Sequence, residues 1–174
     1  MSKRTCMETA LAKLNYRMRT EEELRRSLKD LDYDKEDIDK TLEELISYGY
    51  VDDDRYVREF YRISRRKRWS RNRILRALKE KGISSVRAVN VLDDLEASGE
   101  MEDLGLSFDE RETALELGID MAQSQLRSGK EIDDNFLKKV GRRLTSLGYD
   151  TGCCFYVMNR LRDRAKDLSE EDEE

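Results

Sequence analysis

The residue types with chemical potential in this chain are gathered in one run. Arg58, Arg62, Arg65, Arg66, Lys67, Arg68, Arg71, Arg73, Arg76 and Lys79 follow one another closely, with Trp69 among them. From Arg55 to Lys81 twelve Lys or Arg stand against two acids, Glu59 and Glu80. Cations at that density on successive helices create a field that attracts phosphates or an acidic protein groove. Trp69 offers a flat surface that stacks on a base or anchors a protein contact. These eleven residues are the candidate partner- and nucleic-acid-binding set. The competing reading is a solvated helix face balanced by acids elsewhere, with Trp69 packed at a helix junction.

Other chemistries lack their parts. Histidine is absent, which removes Ser-His-Asp and Cys-His schemes and every His-containing metal site. No glycine loop of the phosphate-cradling kind occurs, and no carboxylate pair stands out for acid–base work. The chain therefore reads as a non-enzyme with no catalytic residues, no metal and no cofactor. Asp52, Asp53 and Asp54 suggest helix capping plus an ion pair to Arg55 or Arg58 rather than a cation site, because hard-cation sites converge ligands from several turns. Cys6, Cys153 and Cys154 show no CxxC spacing and read as reduced thiols of a cytoplasmic protein. No stretch approaches the roughly 20 apolar residues of a membrane span.

The elements that carry these residues repeat. Arg19–Leu45 shifted by 50 positions lands without a gap on Trp69–Leu95, placing Leu24 on Ile74, Leu28 on Leu78, Leu42 on Leu92 and Leu45 on Leu95. A shift of 116 places Leu28, Leu31, Tyr33 and Leu45 on Leu144, Leu147, Tyr149 and Leu161. Arg26, Arg76 and Arg142 recur in the same register, as bundle-packing stems or as a ladder of cations. The pattern predicts an all-α chain: a tandem, elongated and curved array of three helix-turn-helix-like modules of three helices each. The boundaries fall at 1–50 (acidic), 51–100 (basic) and 101–166 (with an insertion of 16 residues between about 103 and 136). A disordered acidic tail is expected over 167–174.

Within the modules, Thr20 and Glu23 form a capping box ahead of a helix whose apolar stripe is Leu24, Leu28 and Leu31. Asp32 and Gly82 end the equivalent helices of modules one and two. Tyr56, Phe60 and Ile63 are expected inward on the next helix, Ser70 is an N-cap, and Val86, Val89 and Leu92 line the helix after it. Module three opens with a longer helix over 109–126. At 42% charged and 37% hydrophobic residues, with no proline, the composition suits slim bundles with long solvated faces. The net charge of −5 conceals the segregation of acids from bases.

The order of these pieces resembles the RecX family of bacterial regulatory proteins. The resemblance rests on ALAKLNYRMRTEEELRRSL, LEELISYGYVDDDRYVREFYRISRR, RILRALKEKGI and LTSLGYD, and above all on Tyr48-Gly49-Tyr50-Val51-Asp52-Asp53-Asp54-Arg55-Tyr56. It departs from the family where Arg68-Trp69-Ser70-Arg71 replaces the glycine often found before the second helix of module two. The resemblance implies a monomeric cytoplasmic protein of DNA repair, recombination and the SOS response. Its implied partner is the RecA recombinase, especially the RecA filament on single-stranded DNA. Binding there is implied to block filament extension or promote disassembly, lowering strand exchange and RecA ATPase activity. The alternatives are a sequence-tolerant binder of single- and double-stranded DNA, built of the same modules, with no RecA partner, and a protein-only adaptor whose basic stretch meets an acidic partner.

Overall fold

The computed structural model describes residues 4–100, 105 and 109–171, with side chains through 165. Among the described residues there are nine helices and no strand. They are α1 (Cys6–Tyr16), α2 (Glu21–Lys29), α3 (Lys35–Ser47), α4 (Asp53–Arg66), α5 (Arg71–Glu80), α6 (Ser85–Ala97), α7 (Glu110–Arg127), α8 (Asp134–Ser146) and α9 (Thr151–Glu171). Residues 101–104, 106–108 and 172–174, which include part of the expected insertion and the end of the acidic tail, lie outside the described residues.

Several helices start where local chemistry satisfies their first amide groups. Thr20 Oγ1 accepts from the Glu23 amide while the Glu23 carboxylate accepts from the Thr20 amide, the reciprocal pair that the sequence predicts. Thr5 and Glu8 repeat the device at α1. Asp109 accepts from the Arg111 and Glu112 amides, so the long helix of module three begins one residue beyond its expected start. Ser70 Oγ accepts from the Arg73 amide at the head of α5.

The shared leucine register is the core. Leu24, Leu28, Ile74, Leu78, Leu92, Leu95 and Leu144 are all fully buried. Three stripe assignments differ from the sequence reading. Leu31 is exposed, because the chain leaves α2 at Lys29 before that residue can face inward. On α4 the inward side runs through Tyr56, Val57, Tyr61 and Ser64, leaving Ile63 half exposed. Both stripes have helical spacing, and packing selects the one that includes Val57 and Tyr61. On α6, Ala88, Val91, Leu92 and Leu95 are buried, whereas Val86 is exposed.

The second helix of each module ends on a left-handed residue: Asp32 (φ 58°), Gly82 (φ 87°) and Gly148 (φ 92°). At Gly148 space is scarce as well, since a Cβ would lie 2.6 Å from the Cβ of Arg73 and 2.7 Å from Ser70 Oγ. Gly148→Ala is therefore expected to cost about 1–3 kcal/mol, from left-handed strain plus displacement of the Ser70 cap. Urea unfolding of the variant measures it, and an unchanged midpoint would mean that the turn accommodates a side chain after all.

The chain divides into two compact units, Met1–Arg62 with Leu75–Ala97, and Ile63–Ile74 with Ser98–Glu174. In the first, α1, α2 and α3 pack on one another around Cys6, Ala10, Leu24, Leu28, Ile38, Leu42, Leu45 and Val51. In the second, α9 packs against both α7 and α8, with Ala114, Leu137, Val140, Leu144, Val157 and Leu161 at the centre. Helix α9 runs five residues into the stretch expected as the acidic tail.

Candidate nucleic-acid and partner interface

The cations of the basic run have different environments, and these separate structural from available charge. In the second unit, the chain leaves α4 through a turn in which the Arg68 amide donates to the Arg65 carbonyl (2.7 Å) and the Trp69 amide to the Ser64 carbonyl (3.1 Å). Arg68 sits there at φ 58°, the left-handed region that a glycine occupies at no cost. Its Nη1 pairs with Asp120 at 2.7 Å, and its carbonyl accepts from the Tyr149 hydroxyl at 3.0 Å.

Arg65 is withdrawn from the surface, with 2% of its area exposed. Its Nη1 donates to the Trp69 carbonyl (3.1 Å) and its Nη2 to Thr113 Oγ1 (2.8 Å). Burial pushes the nearby Tyr149 hydroxyl up to about 12 against the opposing pull of the Arg65 cation. Trp69 is partly buried against the core of this unit, and the Arg73 guanidinium lies 4.0 Å over its ring. Arg73 Nη1 also donates to the Ser146 carbonyl, and the Arg71 amide donates to Glu110. Arg65, Arg68 and Arg73 thus brace the turn, and Trp69 belongs to the packing. Arg66 and Lys67, by contrast, are exposed and form no ion pair among the described residues.

In the first unit, Arg62 pairs with Glu59 at 2.6 Å and Arg58 is half-buried. Arg76 and Lys79, one turn apart on α5, are exposed without an ion pair among the described residues. The other members of the Arg26, Arg76, Arg142 register diverge: Arg26 pairs with Glu22 at 2.7 Å, and Arg142 is exposed.

The three aspartates serve folding. Asp52 accepts from the Arg55 amide (2.9 Å) and Asp53 from the Glu21 amide (2.9 Å). Asp54 pairs with Arg87 at 2.6 Å, so the cation is Arg87 rather than the expected Arg55 or Arg58. Desolvation raises the Asp53 carboxyl above its ordinary range despite the Glu21 amide and Arg87. Among the described residues no group of three His, Cys, Asp or Glu could hold a metal ion, and no helix is long and apolar enough to cross a membrane.

A polar network in the first unit is not visible in the sequence pattern. Glu23 accepts from Arg17 (3.0 Å) and Lys81 (3.0 Å), and Thr20 Oγ1 donates to the Lys81 carbonyl at 2.6 Å. The Lys81 ammonium lies 5.8 and 5.7 Å from the Tyr56 and Phe60 ring centres. Burial alone would raise the Glu23 carboxyl, but the two cations hold it below its usual range. Lys81 is thereby spent internally although it closes the basic run. In the second unit, burial pushes the Cys153 thiol up to about 11, which keeps it protonated and a poor nucleophile at neutral pH.

Comparison with known proteins extends the geometry. The family model of the first three-helix domain of RecX matches residues 6–45, and that of the second matches residues 52–86. Regulatory protein RecX of Clostridium perfringens (strain 13 / Type A) is 30% identical over 157 residues, covering 90% of this chain and 68% of the relative. Regulatory protein RecX of Corynebacterium efficiens is 26% identical over 163 residues, covering 91% and 73%. The crystal structure of RecX from Lactobacillus salivarius superposes with a TM-score of 0.66 at 20% identity, covering 90% of this chain and 94% of that one, which speaks to the fold.

Proposed function

This chain belongs to the RecX family, and from that premise we propose that it binds the RecA recombinase filament on single-stranded DNA and restrains its extension. In this reading the protein lowers RecA ATPase activity and strand exchange without performing chemistry of its own. The observation that carries it is the sorting of the basic run. Arg66, Lys67, Arg76 and Lys79 remain exposed and without ion pairs among the described residues, in a chain where acids outnumber bases by 39 to 34. Side chains that folding does not neutralise are the ones available to an acidic or phosphate-bearing surface. Arg58, Arg62 and Arg71 belong to the same run of sequence. Arg65, Arg68, Trp69 and Arg73 hold the turn that presents Arg66 and Lys67, and are positioning residues in this proposal.

The test adds the protein substoichiometrically to RecA filaments on single-stranded DNA and follows ATP hydrolysis. The expected result is a fall in rate that deepens as filaments are challenged to regrow. Unchanged hydrolysis when the protein saturates the filament would overturn the proposal. A DNA-only role predicts instead that the protein binds naked oligonucleotide with a steep salt dependence, roughly 0.7 in log–log slope per phosphate contact on single strands, and leaves RecA turnover unaffected at equal DNA coverage.

A further inference from the structure

Module three carries a groove distinct from the exposed cations assigned to RecA and DNA. It lies between α8 and α9, within one unit, and has a volume of about 700 Å³. Gly141, Cys154 and Met158 form its less exposed lining, while Lys138, Arg142 and Phe155 are exposed around it.

The repeat register shows what opened it. Shifted by 116 positions, Gly141 and Phe155 correspond to Arg25 and Asp39 of module one, and those two side chains form an ion pair that spans the same pair of helices. In module two the corresponding residues are Leu75 and Val89, both partly buried. Only module three places a glycine opposite an aromatic there. The glycine is not required by the backbone, since it lies inside α8 away from either end, where it costs about 1 kcal/mol relative to alanine. A Cβ at this position would come within 3.0 Å of the Met158 sulfur.

The charges differ between the modules as well. Arg26 of module one is neutralised by Glu22 four residues earlier. Its counterpart Arg142 has Lys138 in that place, so the acid is replaced by a second cation. Neither Lys138 nor Arg142 forms an ion pair among the described residues, and none of the residues lining the groove is acidic. The result is a cleft with apolar lining at Cys154 and Met158 and polar lining at Asn135, Thr145 and Thr151, beside two unneutralised cations and with Phe155 58% exposed at its edge.

We propose that this groove docks a single amphipathic helix of a protein partner, acidic along its flank, that seats a bulky apolar side chain against Gly141, Cys154 and Met158. Helix-in-groove recognition takes its affinity from such an anchor and its orientation from flanking charge. The cleft is of the size that holds anchoring side chains. A nucleic acid would find only two cations here, beside the uncharged Asn135, Thr145 and Thr151 and the apolar Cys154, Phe155 and Met158, so a peptide is the better fit.

The experiment selects displayed helical peptides of roughly 16 residues, about four turns, on the full-length chain, and measures the winners by fluorescence anisotropy. Enriched sequences should be acidic, with apolar residues spaced three or four apart. Their affinity should fall at least about tenfold for Lys138→Glu with Arg142→Glu, and by a similar factor for Phe155→Ser. Gly141→Leu should abolish binding by filling the cleft. Because that change could disturb α8, circular dichroism accompanies it, and the exposed Phe155→Ser variant is the decisive one. The proposal is overturned by any of four binding results, and by a fifth in self-association. The four are no enrichment, enrichment without acidic bias, binding indifferent to Phe155→Ser, or a single-stranded oligonucleotide rather than a peptide responding to the Lys138 and Arg142 reversals. Concentration-dependent self-association abolished by Phe155→Ser would assign the groove to a second copy of this chain and overturn it equally.

Discussion

Arg65→Ala is expected to lower the unfolding free energy by about 3–5 kcal/mol, although Arg65 stands in the middle of what the sequence presents as a binding run. The truncation removes a side chain that is 2% exposed and leaves the Trp69 carbonyl and the Thr113 hydroxyl without the donors that now reach them. A buried acceptor stripped of its partner costs about 1–3 kcal/mol, and the vacated volume adds to that. Arg65→Lys keeps the charge but lacks the planar fork that serves two acceptors at once, so an intermediate loss is expected. Chemical denaturation of the three proteins orders them. If Arg65→Ala melted like the parent while losing its effect on RecA, the residue would be a surface contact and its structural role would fall.

The second large effect is functional. Reversing Arg66, Lys67, Arg76 and Lys79 to Glu changes the charge by eight units at sites that make no ion pair among the described residues. Exposed substitutions of this kind usually move stability by no more than about 0.5 kcal/mol each. If the proposed inhibition of RecA ATPase runs through these cations, it should nevertheless weaken by at least about a hundredfold, because attraction at four positions becomes repulsion. The salt dependence of the remaining binding should flatten in parallel. A quadruple variant that inhibits like the parent would show that the exposed cations are a solvated face after all. Arg66 with Lys67, and Arg76 with Lys79, belong to different compact units, so the two double variants apportion the loss between them.

Much of the scaffold was legible in the chain, since its causes are local or repeat at fixed offsets. The Thr20–Glu23 capping box needs only four residues, and the leucines at 28, 78 and 144 announce themselves by register. What was illegible depended on distant partners. The fate of Arg65 is decided by Thr113, 48 positions away, within the stretch of module three that holds the insertion. Arg87 outcompetes Arg55 and Arg58 for Asp54 through tertiary placement that no spacing reports. On α4, two apolar stripes of equal periodicity compete, and only packing chooses between Phe60 with Ile63 and Val57 with Tyr61. Of the candidate site, the sequence displays the basic run but not which of its members the fold consumes. A string of arginines gives no sign of which members are consumed by carbonyls and carboxylates of the fold. Even the groove of module three was written in the repeat register at Gly141 and Phe155, positions that the matching leucines overshadow.

The left-handed residue that closes the second helix of each module is not equally replaceable at the three turns. Gly82 and Gly148 hold the conformation freely, whereas Asp32 holds it as one of the few side chains that tolerate it. A side chain is permitted where the turn faces open space. At the other two turns a side chain would collide, with Glu22 at Gly82 and with Arg73 and Ser70 at Gly148. The three turns therefore differ in what they can hold: the first carries the side chain of Asp32, whereas at the later two a Cβ would meet the residues packed against them.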